Sequence, residues 1–230
     1  MKRPSEESLY PLVETWLKHH HRCFITGINT GLRHSRVDVV GIHDIGGDLS
    51  GEVETIVVEV KRGTQPFATA SGQALGYKVY ANRVYLADLR EQPFTPDEVQ
   101  IASHLGIGLI QITEQACVEV LSSPHYMPIT RFNLALLECL ALGYCQLCGS
   151  VFRTGESKDK RYNKLARESL KSAFTKNKGL MFWNRELADR KQVMRIRMVK
   201  DGSTYERRFV CPDCMEFFFS GFEVRGTSGC

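Results

Sequence analysis

The run TIVVEVKRG, Thr55 to Gly63, is apolar at Ile56, Val57, Val58 and Val60, yet it carries Glu59 and Lys61 near its end. Side chains alternate faces along a strand, so Glu59 and Lys61 share one face. On an exposed sheet edge such a pair is a surface salt bridge worth little. A second acid changes the chemistry. Asp38 lies in RVDVV, and a loop holding Gly46, Gly47 and Gly51 separates it from Glu59. That loop lets the chain turn back, so the two strands are expected as antiparallel neighbours. Two carboxylates brought together repel each other, which favours a divalent cation between them, and oxygen ligands suit Mg2+ or Mn2+. A lysine beside them can hold or help deprotonate an attacking water and offset charge on a phosphoryl oxygen. The cation polarises the phosphate and lowers the water's pKa.

Cysteines make a second constellation. CQLCG places Cys145 and Cys148 at Cys-x-x-Cys spacing, and CPDC repeats it at Cys211 and Cys214. Four thiolates suit one tetrahedral zinc ion, and Gly149 lets the chain turn tightly around it. Redox chemistry competes for a single pair, whereas two pairs in a reducing compartment point to structural zinc. The long spacer implies an inserted subdomain closed by the metal.

The net charge of +4 conceals an asymmetry: residues 1–150 hold 12 Lys+Arg and 16 Asp+Glu, residues 151–210 hold 17 and 7, and residues 211–230 hold 1 and 3. A basic segment at +10 is a polyanion-binding surface, with solubilisation alone as the competing reading. Within it, KRYNKLARESLKSAF predicts an amphipathic helix whose Lys160, Arg161, Lys164, Arg167 and Lys171 lie largely off the apolar face. VMRIRMVKDGSTYERRFV predicts a hairpin turning at Asp201-Gly202, with Arg195 and Arg197 on one side. These cations are expected to contact nucleic-acid phosphates without reading bases.

The elements that must position these residues follow from periodicity. SLYPLVETWLKHH predicts a helix over 6–20; CFITGI and RVDVVGIHD predict strands; ASGQALGYKVYANRV predicts a helix and RVYLAD a strand. Thr95 as N-cap, Pro96, Glu98 as capping-box partner and Gly106 frame the next helix. GIGLIQI is too apolar for a sheet edge, and CVEVLS follows it. RFNLALLECLALGY predicts a short helix before the first cysteine pair. The order argues for an α/β fold. SSPHYMP marks a boundary, giving a first domain over 1–128 and a smaller α+β zinc-binding domain over 129–230 whose basic insert covers 151–210.

Asp38, the loop, Glu59-x-Lys61, and a helix carrying Gln73-x-x-x-Tyr77 together resemble the PD-(D/E)XK nuclease superfamily over roughly residues 5–90. That resemblance implies a restriction-endonuclease-like mixed central sheet flanked by helices. It also implies a Mg2+- or Mn2+-dependent phosphodiesterase with water as nucleophile. It makes Asp38 and Glu59 metal ligands, joined by the Val60 carbonyl, with Lys61 the water-side lysine and Gln73 in support. The family often adds an acid from its first helix. Glu6, Glu7 and Glu14 are available, and Glu7 is taken here. The substrate expected is DNA, held by the zinc module, with a homodimer or a larger defence or repair complex compatible with the family. The alternative is a nucleic-acid-binding or regulatory protein whose nuclease fold does not cut.

With 43% hydrophobic and 24% charged residues the composition is that of an ordinary globular protein. No run of about 18 apolar residues exists to span a membrane, and MKRPSEESLY lacks the apolar core of a signal peptide. A cytoplasmic, nucleoid-associated or nuclear protein is expected, without a membrane partner. His19, His20 and His21 read as a solvated helix end. Cys23, Cys117 and Cys139 read as small core residues, and nothing pairs Cys230. Met181, Phe182 and Trp183 are expected in a small core of the insert, and Phe217, Phe218 and Phe219 under the zinc knuckle.

Overall fold

The computed structural model describes residues 4–31, 36–46, 52–113, 116–145, 148–153, 181–183, 194–200 and 204–210. The chain divides into two compact units, one of residues 1–47 and 53–140, the other of residues 48–52 and 141–230. In the first unit, α1 (Tyr10–His20) precedes the strands β1 (Ile25–Gly31), β2 (Arg36–Asp44) and β3 (Val53–Lys61). Then come α2 (Phe67–Gly76), β4 (Arg83–Leu89), α3 (Pro96–Leu105), β5 (Gly108–Ile112), β6 (Cys117–Leu121) and α4 (Thr130–Cys139).

The six strands form one sheet in the order β1-β2-β3-β4-β5-β6. β1, β2 and β3 are antiparallel, β3, β4 and β5 are parallel, and β6 returns antiparallel to β5. The two parallel steps are those whose connections carry α2 and α3, since parallel strands need a long crossover. The fold is therefore a mixed α/β sheet flanked by helices. β3 lies in mid-sheet, buried from Glu54 to Lys61. On one face Leu9, Tyr10, Val13, Trp16 and Leu17 pack on Val39, Ile56, Val58, Val60, Tyr85, Ile110 and Ile112. Alternation then turns Glu59 and Lys61 to the other face.

Local signals account for the helix ends. In α3 the Thr95 hydroxyl accepts from Glu98 N, and the Glu98 carboxylate accepts from Thr95 N, a complete capping box with Pro96 in the first turn. Gly106 closes it at φ +66°, where an added Cβ would strike the Tyr126 hydroxyl. The first helix departs from the expected 6–20. A 3-10 turn, Glu6–Ser8, is capped by Ser5, and the α-helix begins beyond Leu9 with Pro11 in its first turn. α2 likewise tightens into a 3-10 turn at Tyr77–Val79.

α4 belongs to the first unit, beyond the boundary expected at 128. Its Asn133 amide donates to the Thr55 hydroxyl and the Tyr80 carbonyl, both at 2.8 Å. Thr55 is fully buried, and its N–H and hydroxyl both donate to Asn82 Oδ1, at 2.9 and 2.8 Å. Asn82 in turn donates to the Tyr126 carbonyl at 3.1 Å. Asn82→Ala strands the Thr55 N–H in the core, and a buried unsatisfied group costs about 1–3 kcal/mol. We expect Asn82→Ala to lose stability in the upper part of that range by urea denaturation, with Thr55→Val losing less.

The second unit has a hairpin of β7 (Leu142–Tyr144) and β8 (Val151–Arg153), and a sheet of β9 (Met181–Trp183), β10 (Met194–Lys200) and β11 (Thr204–Val210) in the order β11-β10-β9. β10 pairs antiparallel with β11 from Met194↔Val210 to Lys200↔Thr204. Met181–Trp183, expected as core residues with stacking on bases as the alternative, form a strand against β10. Asp201, Gly202, Cys211 and Cys214 lie outside the described residues, as do Lys160, Arg161, Lys164, Arg167 and Lys171. Arg195 and Arg197 occupy alternate positions of β10. Among the described residues no helix is long and apolar enough to cross a membrane.

Candidate active site

β2 and β3 bring the acids together. Their antiparallel register ends at Val39↔Val58, and Asp38 and Glu59 follow one residue beyond that end on neighbouring strands. Asp38 is clamped from two sides: the Tyr10 hydroxyl donates to Oδ1 at 3.0 Å and the Val60 N–H donates to Oδ2 at 2.9 Å. Lys61 Nζ lies 2.5 Å from Glu59 Oε1 and 3.9 Å from Glu6 Oε2. Both Glu59 and Lys61 are buried, at 4% and 5% exposure, so this is no surface salt bridge.

The second oxygen of Glu59 is the telling atom. Oε2 is buried and has no hydrogen-bond partner among the described residues. The nearby Tyr77 hydroxyl gives its proton to the Arg36 carbonyl at 2.7 Å. Burial, opposed by the Lys61 hydrogen bond and reinforced by the Asp38 charge, raises the Glu59 carboxyl above its ordinary value near 4.5. A carboxylate pair of which one member is desolvated and short of a partner is what a hard divalent cation relieves. The donor set of Asp38, Glu59 and a main-chain carbonyl is all oxygen, so the residues fit Mg2+ or Mn2+.

The sign of the pH effect follows. A native carboxyl with a raised pKa binds its proton more tightly than the unfolded chain does, so its burial costs nothing below pH 4.5. That cost grows as pH rises through and above this value. Glu59→Gln cannot ionise and escapes it. In metal-free buffer the stability of the parent relative to Glu59→Gln should therefore fall between pH 4.5 and neutrality, measured by chemical denaturation. A gap that widened in the parent's favour would mean that Lys61 more than repays the burial.

Glu6, not Glu7, approaches the lysine. The 3-10 turn half-buries Glu6 and leaves Glu7 exposed. Glu14 is engaged elsewhere, accepting from Lys18 at 2.8 Å and from Thr26 at 2.5 Å. Gln73 stands exposed on α2, and no hydrogen bond among the described residues joins it to Asp38, Glu59 or Lys61. Val60 is fully buried, with its N–H committed to Asp38.

Two contributors were not anticipated from sequence. Tyr10, whose hydroxyl pKa burial and Asp38 push upward, fixes the Asp38 carboxylate. Asp88 on β4 is the register partner of Lys61 and accepts from Gly63 N at 2.6 Å, its own pKa raised by burial. Arg90 continues the chain of charges, 3.9 Å from Asp88 and 2.9 Å from Glu98. An acid ending RVYLAD was the available signal, since parallel crossover strands place their C-terminal ends side by side.

In the second unit, Cys145 and Cys148 sit in the turn between β7 and β8. Cys145 N donates to the Ser150 carbonyl at 2.8 Å, Gly149 N donates to the Cys145 carbonyl at 3.0 Å, and Gly149 adopts φ +81°. Only the left-handed region lets the chain fold back so tightly. Cys148 Sγ lies 2.9 Å from the Ser150 hydroxyl. Of the cysteines expected in the core, Cys23 is buried, with its thiol pushed up to about 12, and Cys117 is half-buried. Cys139 is exposed, because it falls on the outer face at the end of α4.

No protein-family model matches the chain, and no curated protein matches it. Among solved structures, a protein of unknown function from Silicibacter pomeroyi is 21% identical over 61% of this chain and 86% of its own, with a TM-score of 0.45. A likeness at that level carries neither fold nor activity from one chain to the other.

Proposed function

We propose that the protein is a Mg2+- or Mn2+-dependent phosphodiesterase acting on DNA, with Asp38 and Glu59 as metal ligands and Lys61 as the lysine at the attacking water. The observation supporting this most directly is the gathering of Asp38, Glu59 and Lys61 where the β2–β3 pairing ends, with Asp38 held by the Val60 N–H, Lys61 on Glu59 Oε1, and Glu59 Oε2 buried with no hydrogen-bond partner among the described residues. When bound there, a divalent cation supplies Lewis-acid polarisation of the phosphate and a lower pKa for water.

The chain's own residues do the rest. Tyr10 and Val60 N hold Asp38 in one orientation, so its remaining lone pairs face a fixed point. The Lys61 ammonium has three donors; Glu59 takes one, leaving the others for water or a phosphoryl oxygen. Hydrolysis then forms one P–O bond from water and breaks another, with the water's proton passing to solvent and the leaving oxygen taking one up. Placement of Lys61 beside the developing charge is the contribution that the substrate feels.

In the same reading Cys145, Cys148, Cys211 and Cys214 hold one structural zinc, and the cations of residues 151–210 bind phosphates. The competing reading, binding without hydrolysis, is separated by incubating the purified protein with single-stranded, duplex and branched DNA, with and without Mn2+. Metal-dependent cleavage abolished in Glu59→Ala supports the nuclease. Salt-sensitive binding with no cleavage in any combination overturns it.

A further inference from the structure

The C-terminal end of α1 gathers a second constellation. His20, His21 and Glu119 each offer a ligand atom, and these atoms lie within 4.8 Å of one another. His20 Nε2 lies 2.8 Å from Glu119 Oε2, and the other oxygen, Oε1, accepts from the Tyr85 hydroxyl at 2.8 Å. Trp16 stacks on His20 at 4.8 Å and meets His21 edge-on at 4.9 Å. The expectation of a solvated histidine tail therefore fails for His21, which is half-buried. Its Nε2 is buried without a hydrogen-bond partner among the described residues.

We infer that His20, His21 and Glu119 form a zinc site, separate from the Asp38/Glu59 cluster. Two imidazoles and a carboxylate suit Zn2+ and disfavour Mg2+, which prefers all-oxygen shells. With bonds near 2.1 Å a tetrahedral zinc spaces its ligands about 3.4 Å apart, so atoms already this close need only rotamer-scale shifts. A cation bound through the buried His21 nitrogen supplies the partner it lacks. Tyr85 orients the Glu119 carboxylate from behind, as outer-shell groups do at metal sites. The partial negative charge at the C-terminal end of α1 adds to the attraction. His20 is exposed, which leaves the fourth position to water. α1 has 11 residues, so its length of about 16 Å separates this site from Tyr10 and Asp38 at its other end.

Trp16 gives the site its own reporter. In the full chain with Trp183→Phe, purified with one zinc per chain already bound so that the cysteines are occupied, Co2+ bound here should quench Trp16 fluorescence and add visible d–d bands without a thiolate charge-transfer band. Zn2+ should compete with it. Glu59→Gln, which silences the other cluster, should leave this binding unchanged. His20→Ala, at an exposed ring, and Glu119→Gln should each weaken it by about tenfold or more. His21→Ala should do the same if it folds, but His20→Ala decides the matter without that condition. The inference is overturned if Co2+ leaves Trp16 unquenched, or if quenching persists undiminished in His20→Ala and Glu119→Gln. Neither result depends on whether the protein cleaves DNA.

Discussion

Lys61→Met should lower Mn2+-dependent DNA cleavage by about 10²- to 10³-fold, the usual loss when one preorganised donor is removed from developing charge. The lysine is 5% exposed and bonded to Glu59 at 2.5 Å, so the substitution also removes a buried cation from beside a buried carboxylate. Breaking one side of such a pair costs about 3–5 kcal/mol when the remaining charge has no other relief. Glu59 has some relief, because its raised pKa lets it take up a proton, so the loss should sit toward the lower end near neutral pH.

Stability and chemistry separate in the double variant Glu59→Gln/Lys61→Met. It leaves no lone buried charge and should recover most of the lost stability while remaining inactive. A Lys61→Met protein that is folded and cleaves at the parental rate removes the lysine from the reaction. A double variant that regained cleavage together with stability would show that the single variant had failed only by unfolding.

What could be read from the sequence was local. Thr95, Pro96, Glu98 and Gly106 specify α3 within a dozen residues, and the capping box forms as those types dictate. The alternation in RVDVV and TIVVEVK, with a glycine loop between, sufficed to make Asp38 and Glu59 antiparallel neighbours. What failed depended on geometry that periodicity does not carry. By uniform helical count over 6–20 Glu6 shares the apolar face and Glu7 borders it, and the choice of Glu7 rests on Pro11 disturbing that count. The Ser5-capped 3-10 turn changes the rotation per residue and swings Glu6 toward Lys61. Gln73 and Tyr77 share a motif, yet the exposed amide and the buried phenol part company as α2 tightens at Tyr77. His20 and Glu119 are joined by the sheet order that lays β6 beside the end of α1, a contact invisible to any short window.

Removing zinc from the four cysteines should produce the largest effect on stability, and that loss should fall on the second unit. β7 and β8 are three residues each, and a two-stranded hairpin of that size is at best marginal in water. Among the described residues between them, Gly149 adopts φ +81° and Cys145 N donates to the Ser150 carbonyl. A four-cysteine site closing on this turn would supply about 10–16 kcal/mol, binding energy that is also folding energy. The two tryptophans, Trp16 and Trp183, fall one in each unit. In Trp16→Phe, chelation should therefore shift Trp183 emission to that of an unfolded chain. In Trp183→Phe, the main unfolding transition reported by Trp16 should persist, because the first unit buries its core without these cysteines. Cys145→Ser should reproduce the chelated state and release the metal, whereas His20→Ala should leave Trp183 unchanged. Purified protein free of zinc, with Trp183 emission indifferent to chelator, would remove the four-cysteine site and leave the second unit to be held by its sheet alone.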